Sequence, residues 1–241
     1  MPPSKRATLE VCVDDVAGLV ACQGRVDRIE LCSALGVGGL TPSAGLITAA
    51  RASTAPVHAM IRPRVGAFDY TASEIEVALS DIQAVHDAGL AGVVLGATDG
   101  DKLDLSALRR MKDAAADMDC TLHRAIDLLS DPITAMEHVI DLGFVRILTS
   151  GGMPKAIDGL DRLAALHSAA AGRIEIMVGS GVTQNNAAQI AAATGIRSFH
   201  ASCSVGTSVS AAEVKFGFAP DQMRRTDANE IDAMNRTLAG V

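Results

Sequence analysis

Aromatic residues are scarce in this chain. They account for 2% of its 241 residues, with a single tyrosine and no tryptophan. Hydrophobic residues nevertheless make up 49% of the sequence, so the core has to be built from Ala, Val, Ile, Leu and Met. Branched aliphatic side chains of this kind suit the layered interior of a parallel β-barrel, which typically needs about 250 residues.

The sequence also lacks an excess of basic residues, long apolar runs and CxxC spacing, and each of these absences disfavours a class of protein. The chain has 28 acidic and 21 basic residues, a net charge of −7, whereas nucleic-acid binding needs a basic surface. No apolar run approaches the roughly 20 residues of a membrane span, and Glu10, Asp14 and Asp15 interrupt the segment where a signal peptide would continue. Five cysteines without CxxC spacing do not indicate a disulfide framework. We therefore expect a cytoplasmic protein that binds neither nucleic acid nor membrane.

Short β-branched runs alternate with alanine-rich helical segments along the chain. This alternation predicts a parallel sheet, but pattern alone leaves open whether the sheet closes into a barrel or stays open. The predicted strands span residues 9–13, 26–32, 57–62, 92–96, 120–124, 145–149, 174–179 and 198–202.

Helix starts are marked by capping residues. Thr41-Pro42 and Asp131-Pro132 each predict an N-cap followed by proline at the first helical position. Thr71 and Glu74 have the spacing of a capping box.

No linker or low-complexity segment divides the chain, so we predict a single domain over residues 1–241. The barrel-like repeat occupies about residues 8–204. A Gly/Ser-rich loop follows to about residue 225, and residues 227–239 form a closing helix. A loop of that length in a compact domain is usually functional or lies at an interface.

Polar residues recur at the carboxyl ends of the predicted strands, where barrel enzymes place their catalytic groups. Residues two apart on a strand share a face, and unpaired charges there would be costly to bury. Two glutamates and two histidines could supply a general acid and base, and arginines could hold an anionic group. The predicted catalytic residues are Glu10, Glu30, Arg62, His123, Arg124, Asp127 and His200.

Two thiols, Cys12 and Cys32, fall on adjacent predicted strands. Cu(I) prefers thiolate ligands, so the pair could hold Cu(I) if the strand register matches, with His123, His200 or Cys203 as a third ligand. Carboxylate and imidazole groups at the same ends would equally suit Mn, Zn or Fe. The structural alternative is that both cysteines are buried small hydrophobic residues.

A glycine-rich turn, Gly179-Ser180-Gly181, leads into a predicted helix and could hold a phosphate on backbone N–H groups. Together with Ser202 it is the predicted cofactor-binding group. The alternative is an ordinary tight turn. Glu30 and Arg62 could likewise form only a structural ion pair.

The sequence resembles the CutC copper-homeostasis family over about residues 8–204. The resemblance rests on eight collinear motifs at residues 9–12, 27–32, 38–43, 60–64, 68–70, 123–127, 148–151 and 200–202. It implies a TIM barrel, that is (β/α)₈, in a cytoplasmic homo-oligomer linked to copper homeostasis, with a role in binding Cu(I).

Three functions remain open at this point. The first is a copper-linked metal-binding protein, and the second is an isomerase- or lyase-type enzyme acting on a small polar or phosphorylated metabolite. The third is a scaffold whose polar cluster only stabilises the fold.

Overall fold

The computed structural model describes residues 6–241. Its strands are short and mostly buried, as the β-branched runs predict. In chain order they are β1 Thr8–Val13, β2 Arg28–Leu31, β3 Val57–Met60, β4 Gly92–Leu95, β5 Thr98–Asp99, β6 Lys102–Leu103, β7 Asp119–Leu122, β8 Arg146–Thr149, β9 Glu175–Val178, β10 Ser198–Ala201, β11 Ser204–Thr207 and β12 Met223–Thr226.

Eight parallel strands close into a barrel in the order β1-β10-β9-β8-β7-β4-β3-β2. Each overlaps one of the strands predicted from the sequence, and closure of β10 onto β1 confirms the (β/α)₈ architecture. Helices follow the barrel strands on the outside. They are α1 Val16–Cys22, α2 Ala44–Ala50, α3 Ala72–Asp87, α4 Leu105–Ala114, α5 Pro132–Asp141, α6 Leu160–Ala170, α7 Ala187–Thr194, α8 Ala211–Lys215 and α9 Ala228–Leu238.

The predicted helix starts are confirmed in two cases and wrong in one. Asp131 caps α5 with Pro132 in its first turn, and Thr71 and Glu74 form a capping box at α3. Helix α2, however, is capped by Ser43, not by Thr41. The Thr41 hydroxyl instead accepts the backbone N–H of Arg62 at 3.0 Å, which satisfies a donor just beyond β3.

Aliphatic side chains pack mainly between the sheet and the helices, as one contiguous core. The lower interior of the barrel, near the amino ends of the strands, is polar instead. Arg146 donates to Glu175 at 2.8 Å and to the Thr121 hydroxyl at 3.0 Å. The expectation of an aliphatic barrel interior is therefore wrong for this part of the barrel.

The segment after β10 is more ordered than the predicted loop. Strands β11 and β12 pair antiparallel, with α8 between them, and Asp227 caps the predicted closing helix α9. Phe216 and Phe218 on this segment are 69% and 83% exposed. Across residues 6–241, none of the helices has the length and apolar character needed to cross a membrane.

Candidate functional site

A buried carboxylate on β1 organises the polar residues inside the barrel. Glu10 is in register with His200 of β10 and with Arg28 of β2. Arg28 Nε donates to one carboxylate oxygen, and His200 Nδ1 donates to the other at 2.7 Å. Burial alone would raise the pKa of Glu10, but these two partners outweigh burial and hold the pKa well below its usual range. Glu10 is therefore an ionised group that orients the His200 ring.

Cys12 and Glu30 lie opposite each other one layer closer to the carboxyl ends of the strands, and the His200 ring reaches both of them. Each offers one potential ligand atom, and these atoms all lie within 4.8 Å of one another. His200 Nε2 is 3.7 Å from Glu30 Oε2, while Glu30 Oε1 has no hydrogen-bond partner among residues 6–241. The cluster is thus a thiol, a carboxyl and an imidazole whose other nitrogen is already bonded to Glu10.

Protonation in this cluster depends on burial and on the neighbouring charges. Burial raises the pKa of Glu30. For His200, burial opposes the charged form, but attraction to the Glu30 carboxylate outweighs it and raises the pKa of the imidazole. Because the two groups face each other, the charge of each one influences the pKa of the other.

The register required for a paired-thiol site is not formed. Cys12 is opposite Glu30, whereas Cys32 lies just past the end of β2, where its backbone N–H donates to Val13 at 2.8 Å. The Cys32 thiol is 3.5 Å from Glu30 Oε2, and burial raises its pKa well above the usual value. The condition for a paired-thiol Cu(I) site, that the two cysteines lie opposite each other, is therefore not met, because Glu30 occupies the position opposite Cys12.

His123 lies directly after β7 and presents a neutral ring. Its Nδ1 accepts the backbone N–H of Ala125 at 3.1 Å, so the ring proton is on Nε2, which has no hydrogen-bond partner in the described part of the chain. The ring centroid lies 4.5 Å from that of Phe68. Burial lowers the pKa of His123 to about 3. The residue is therefore a hydrogen-bond donor without charge.

The guanidinium of Arg62 is held rigidly by backbone carbonyls. Nη1 donates to Val37 at 2.8 Å and to Gly39 at 3.0 Å, and Nη2 donates to Gly66 at 3.1 Å. Within the residues that the structure describes, its Nε has no hydrogen-bond partner that meets the distance and angle limits. No ion pair joins Arg62 to Glu30 among the described residues, so the alternative of a structural ion pair is wrong: backbone carbonyls bind the guanidinium instead.

Arg124 and Asp127 serve the loop after β8. Arg124 donates to Asp127 at 2.8 Å and to the Ser150 hydroxyl at 2.8 Å. Asp127 also accepts the Thr149 hydroxyl at 2.6 Å and the Gly152 backbone N–H at 2.9 Å. Its carboxylate is thus occupied by holding this loop in place, while Arg124 lies on the wall of the cavity at the barrel mouth.

The predicted cofactor-binding residues are only partly brought together. Ser180 lies on the cavity wall with a positive φ of 78°, and its hydroxyl donates to a backbone carbonyl of the loop after β8 at 2.7 Å. Gly179 has no room for a side chain, since a Cβ would lie 2.6 Å from Leu148. Gly181 has a φ of 69°. Ser202 is exposed and is not among the cavity residues.

A cavity of about 290 Å³ opens at the carboxyl ends of the strands. Two residues were not predicted as functional candidates: Arg28, which bonds Glu10 but is not among the cavity residues, and Phe68, which lines the cavity. Arg28 shares the strand phase of Glu30 and could have been found by it, whereas Phe68 is on a loop and gave no such signal. The cavity is lined by Cys12, Glu30, Leu35, Val37, Gly38, Met60, Arg62, Phe68, His123, Arg124, Leu148, Ser180 and His200.

Comparison with known proteins gives one consistent result. The CutC family model matches residues 7–205. The CutC family protein of Sinorhizobium medicae is 50% identical over 236 residues, which cover 97% of this chain and 96% of that protein. That of Caulobacter vibrioides is 45% identical, with 92% of each chain covered. A solved CutC structure from Streptococcus agalactiae superposes with a TM-score of 0.78 at 32% identity, covering 81% of this chain and 98% of that one.

Proposed function

This chain belongs to the CutC family, and from that premise we propose that it is a metal-binding protein of copper homeostasis. The solved relative from Streptococcus agalactiae carries copper homeostasis in its name, which suggests the metal. The observation that carries the proposal is the cluster of Cys12, Glu30 and His200, whose potential ligand atoms lie within 4.8 Å of one another.

The donor set fits a copper ion carried as cargo. A cysteine thiolate is the preferred ligand of Cu(I), and imidazole suits copper in either oxidation state. The carboxylate of Glu30 is a harder donor, so Cys12 and His200 would provide the main ligands and Glu30 the neighbouring charge. The unpartnered Glu30 Oε1 is consistent with a cluster that gains its remaining partner from a bound ion.

The hydrogen bond from Nδ1 of the His200 ring to Glu10 supports His200 as a metal ligand. Metal-binding histidines usually donate their second ring N–H to a carboxylate, which fixes the ring and raises its basicity. His200 makes such a bond, with Nδ1 at 2.7 Å from Glu10 Oε1. Nε2 is then the nitrogen available to a metal, once the imidazolium and the Cys12 thiol have lost their protons. Metal affinity should consequently increase with pH.

The test is an anaerobic Cu(I) titration against a competing chelator, with wild type, Cys12→Ser and Cys32→Ser. Cys32→Ser is the comparison variant, because the Cys32 thiol is buried and contacts Glu30 but is outside the three-residue cluster. We expect one equivalent of Cu(I) in wild type and in Cys32→Ser, and binding at least about tenfold weaker in Cys12→Ser, the scale on which loss of a supporting group weakens a metal site.

Circular dichroism establishes that each variant is folded. If folded Cys12→Ser binds Cu(I) as tightly as wild type, the proposed ligand set is wrong. Loss of Cu(I) binding in Cys32→Ser but not in Cys12→Ser would mean that Cys32, and not Cys12, is the thiol ligand. Binding of Zn(II), but not Cu(I), with the same dependence on Cys12 would keep the site and refute copper as its metal.

The alternative of an isomerase- or lyase-type enzyme stays a prediction. The observation in its favour is that the paired Glu30 and His200 share one cavity with the neutral donor His123. Groups with such different protonation behaviour are the usual components of acid–base catalysis.

Location and assembly are part of the same proposal. A reducing cytoplasm is supported by five free cysteines, four of them buried. A homo-oligomer is supported by the exposed pair Phe216 and Phe218, whose ring centroids are 6.1 Å apart on the segment after the barrel.

A further inference from the structure

The segment between β10 and α9 has no core of its own. We call residues 204–226 the arm, which comprises β11, α8 and β12. Its two strands form a separate two-stranded sheet, and none of its residues is buried. The arm also lies almost wholly beyond the family model, which ends at residue 205. Because a lone two-stranded hairpin is only marginally stable in water, the arm lacks the packing that usually supports such a structure.

Large apolar side chains are exposed on the arm and on the helix beside it. Phe216, Phe218 and Met223 are exposed on the arm. Strand β12 lies against α1, where Val16 and Val20 are exposed and, four residues apart, share one face of the helix. We call these five side chains together the arm surface. Exposed apolar surface of this extent is typical of a protein–protein contact.

Charges of opposite sign lie on the two parts of this surface. Arg224 and Arg225 are exposed on β12, and Asp14 and Asp15 are exposed directly before α1. Within residues 6–241 none of these four charges is in a salt bridge. Each aspartate accepts a backbone N–H, which leaves its charge without a cation. The arm surface therefore has a basic half on the arm and an acidic half at α1.

From this arrangement we infer that the arm surface binds a second copy of this chain about a two-fold axis, with the apolar side chains of both copies at the centre. A two-fold axis brings the same surface of both partners together, so that each half meets the other half of its partner. The basic half of each copy then faces the acidic half of the other, and opposite charges meet twice in one dimer. A membrane or a nucleic acid, both negatively charged, would match the arginines but would be repelled by the aspartates.

Extension of the arm sheet through the outer edge of β12 is disfavoured by the same arginines. They occupy adjacent positions on this strand, so two antiparallel copies of β12 would bring four arginines together. Like charges directly opposite each other destabilise a strand pair, and charged residues on edge strands commonly protect against edge pairing. The dimer is therefore held by apolar side chains and ion pairs, not by a sheet continued through β12.

The inference deepens the homo-oligomer part of the proposed function and uses no metal ligand. The experiment is sedimentation equilibrium over a wide range of protein concentration, with EDTA and a Cu(I) chelator present throughout. The variants are the double substitution Phe216→Ser/Phe218→Ser and the two charge reversals Arg225→Glu and Asp14→Lys. Arg109→Glu is the matched control, because Arg109 is exposed on α4, across the barrel from α1.

We expect wild type and Arg109→Glu to dimerise with equal affinity. The double phenylalanine variant should dimerise at least about tenfold more weakly, since aromatic side chains at the centre of an interface carry much of its binding energy. Each charge reversal should weaken the dimer at least about tenfold, because like charges then face each other twice.

Mixing the two charge-reversed proteins is the decisive measurement. In a mixed dimer the new glutamate of one chain faces the new lysine of the other, and the unchanged arginine faces the unchanged aspartate. The mixture should therefore regain an affinity close to that of wild type, although neither protein dimerises well alone. No other arrangement of the two halves predicts this recovery.

Circular dichroism verifies that each variant is folded. If Asp14→Lys does not fold, the double phenylalanine variant and Arg225→Glu decide. A wild type that is monomeric throughout overturns the inference and the homo-oligomer, and leaves the copper titration unaffected. Equal self-association by wild type and the folded variants overturns the inference alone and keeps the homo-oligomer. A mixture that does not regain affinity overturns the two-fold pairing.

Discussion

His58 should make the stability of this protein fall with acidification by an amount that can be calculated. The residue is 1% exposed, and a Cβ on the neighbouring Gly92 would come within 2.9 Å of its ring. Asp119 lies 3.8 Å from Nε2, but half of its side chain is exposed, so its attraction is screened by water. Burial therefore lowers the pKa of His58 to about 3.

The sign follows from which state takes up the proton. In the unfolded chain an ordinary histidine has a pKa of about 6.5, so between pH 6.5 and 3 the unfolded state binds a proton that the folded state does not. Above pH 6.5 the ring is neutral in both states, and the free energy of unfolding does not depend on its protonation. Below pH 6.5 the unfolded state takes up a proton, and the free energy of unfolding falls. At pH 5.0, roughly 1.5 pH units below the unfolded pKa, the loss is about 2 kcal/mol at 1.36 kcal/mol per unit.

Urea unfolding of wild type and His58→Gln at pH 7.5 and pH 5.0 measures this difference. Groups common to both proteins, including His123 with its similarly lowered pKa, cancel in the comparison. Wild type should lose about 2 kcal/mol more than the variant between the two pH values. Equal losses would mean that His58 is protonated in the folded protein, and the reasoning from burial would be refuted.

Two further predictions concern residues that hold the site in place. Arg28→Met removes a charged partner from buried Glu10 and should lower the free energy of unfolding by about 3–5 kcal/mol in urea denaturation. Exposed Arg6→Met, which also breaks a salt bridge, should cost less than about 1 kcal/mol, and similar costs would contradict the role given to burial. Gly96→Ala would place a Cβ 2.5 Å from His123 Cε1. It should therefore destabilise the fold by about 1–3 kcal/mol and shift the His123 ring signals in NMR spectra. Unchanged ring signals would contradict the close packing of Gly96 against His123.

Local signals in the sequence predicted the elements well where the residues concerned act on their immediate neighbours. The cap at Asp131 is an example, because its side chain bonds the N–H of Thr134, three residues later. The start of α2 was misplaced because Thr41 bonds a residue 21 positions away. The pair β11 and β12 was missed for the same reason: its two strands are separated by a helix, and the Gly/Ser-rich sequence around β11 looks like a loop.

The candidate site also combines features that the local sequence predicts with features that depend on the tertiary structure. Strand periodicity alone placed Glu10, Glu30 and His200 on one face of a sheet, since alternate residues share a face whatever the fold. Periodicity does not say which residues of neighbouring strands lie opposite each other. That choice put Glu30, not Cys32, beside Cys12.

By itself the sequence determined the βα alternation, the capped helices and the polar character of the strand ends, because each depends on neighbours a few residues apart. Only the tertiary structure decided the register of β1 against β2 and the closure that joins Glu10 to His200, 190 positions later. It also decided that loop carbonyls, and not Glu30, would hold Arg62. These contacts depend on how the whole sheet staggers as it closes into a barrel, a property of all eight strands together that no single strand specifies.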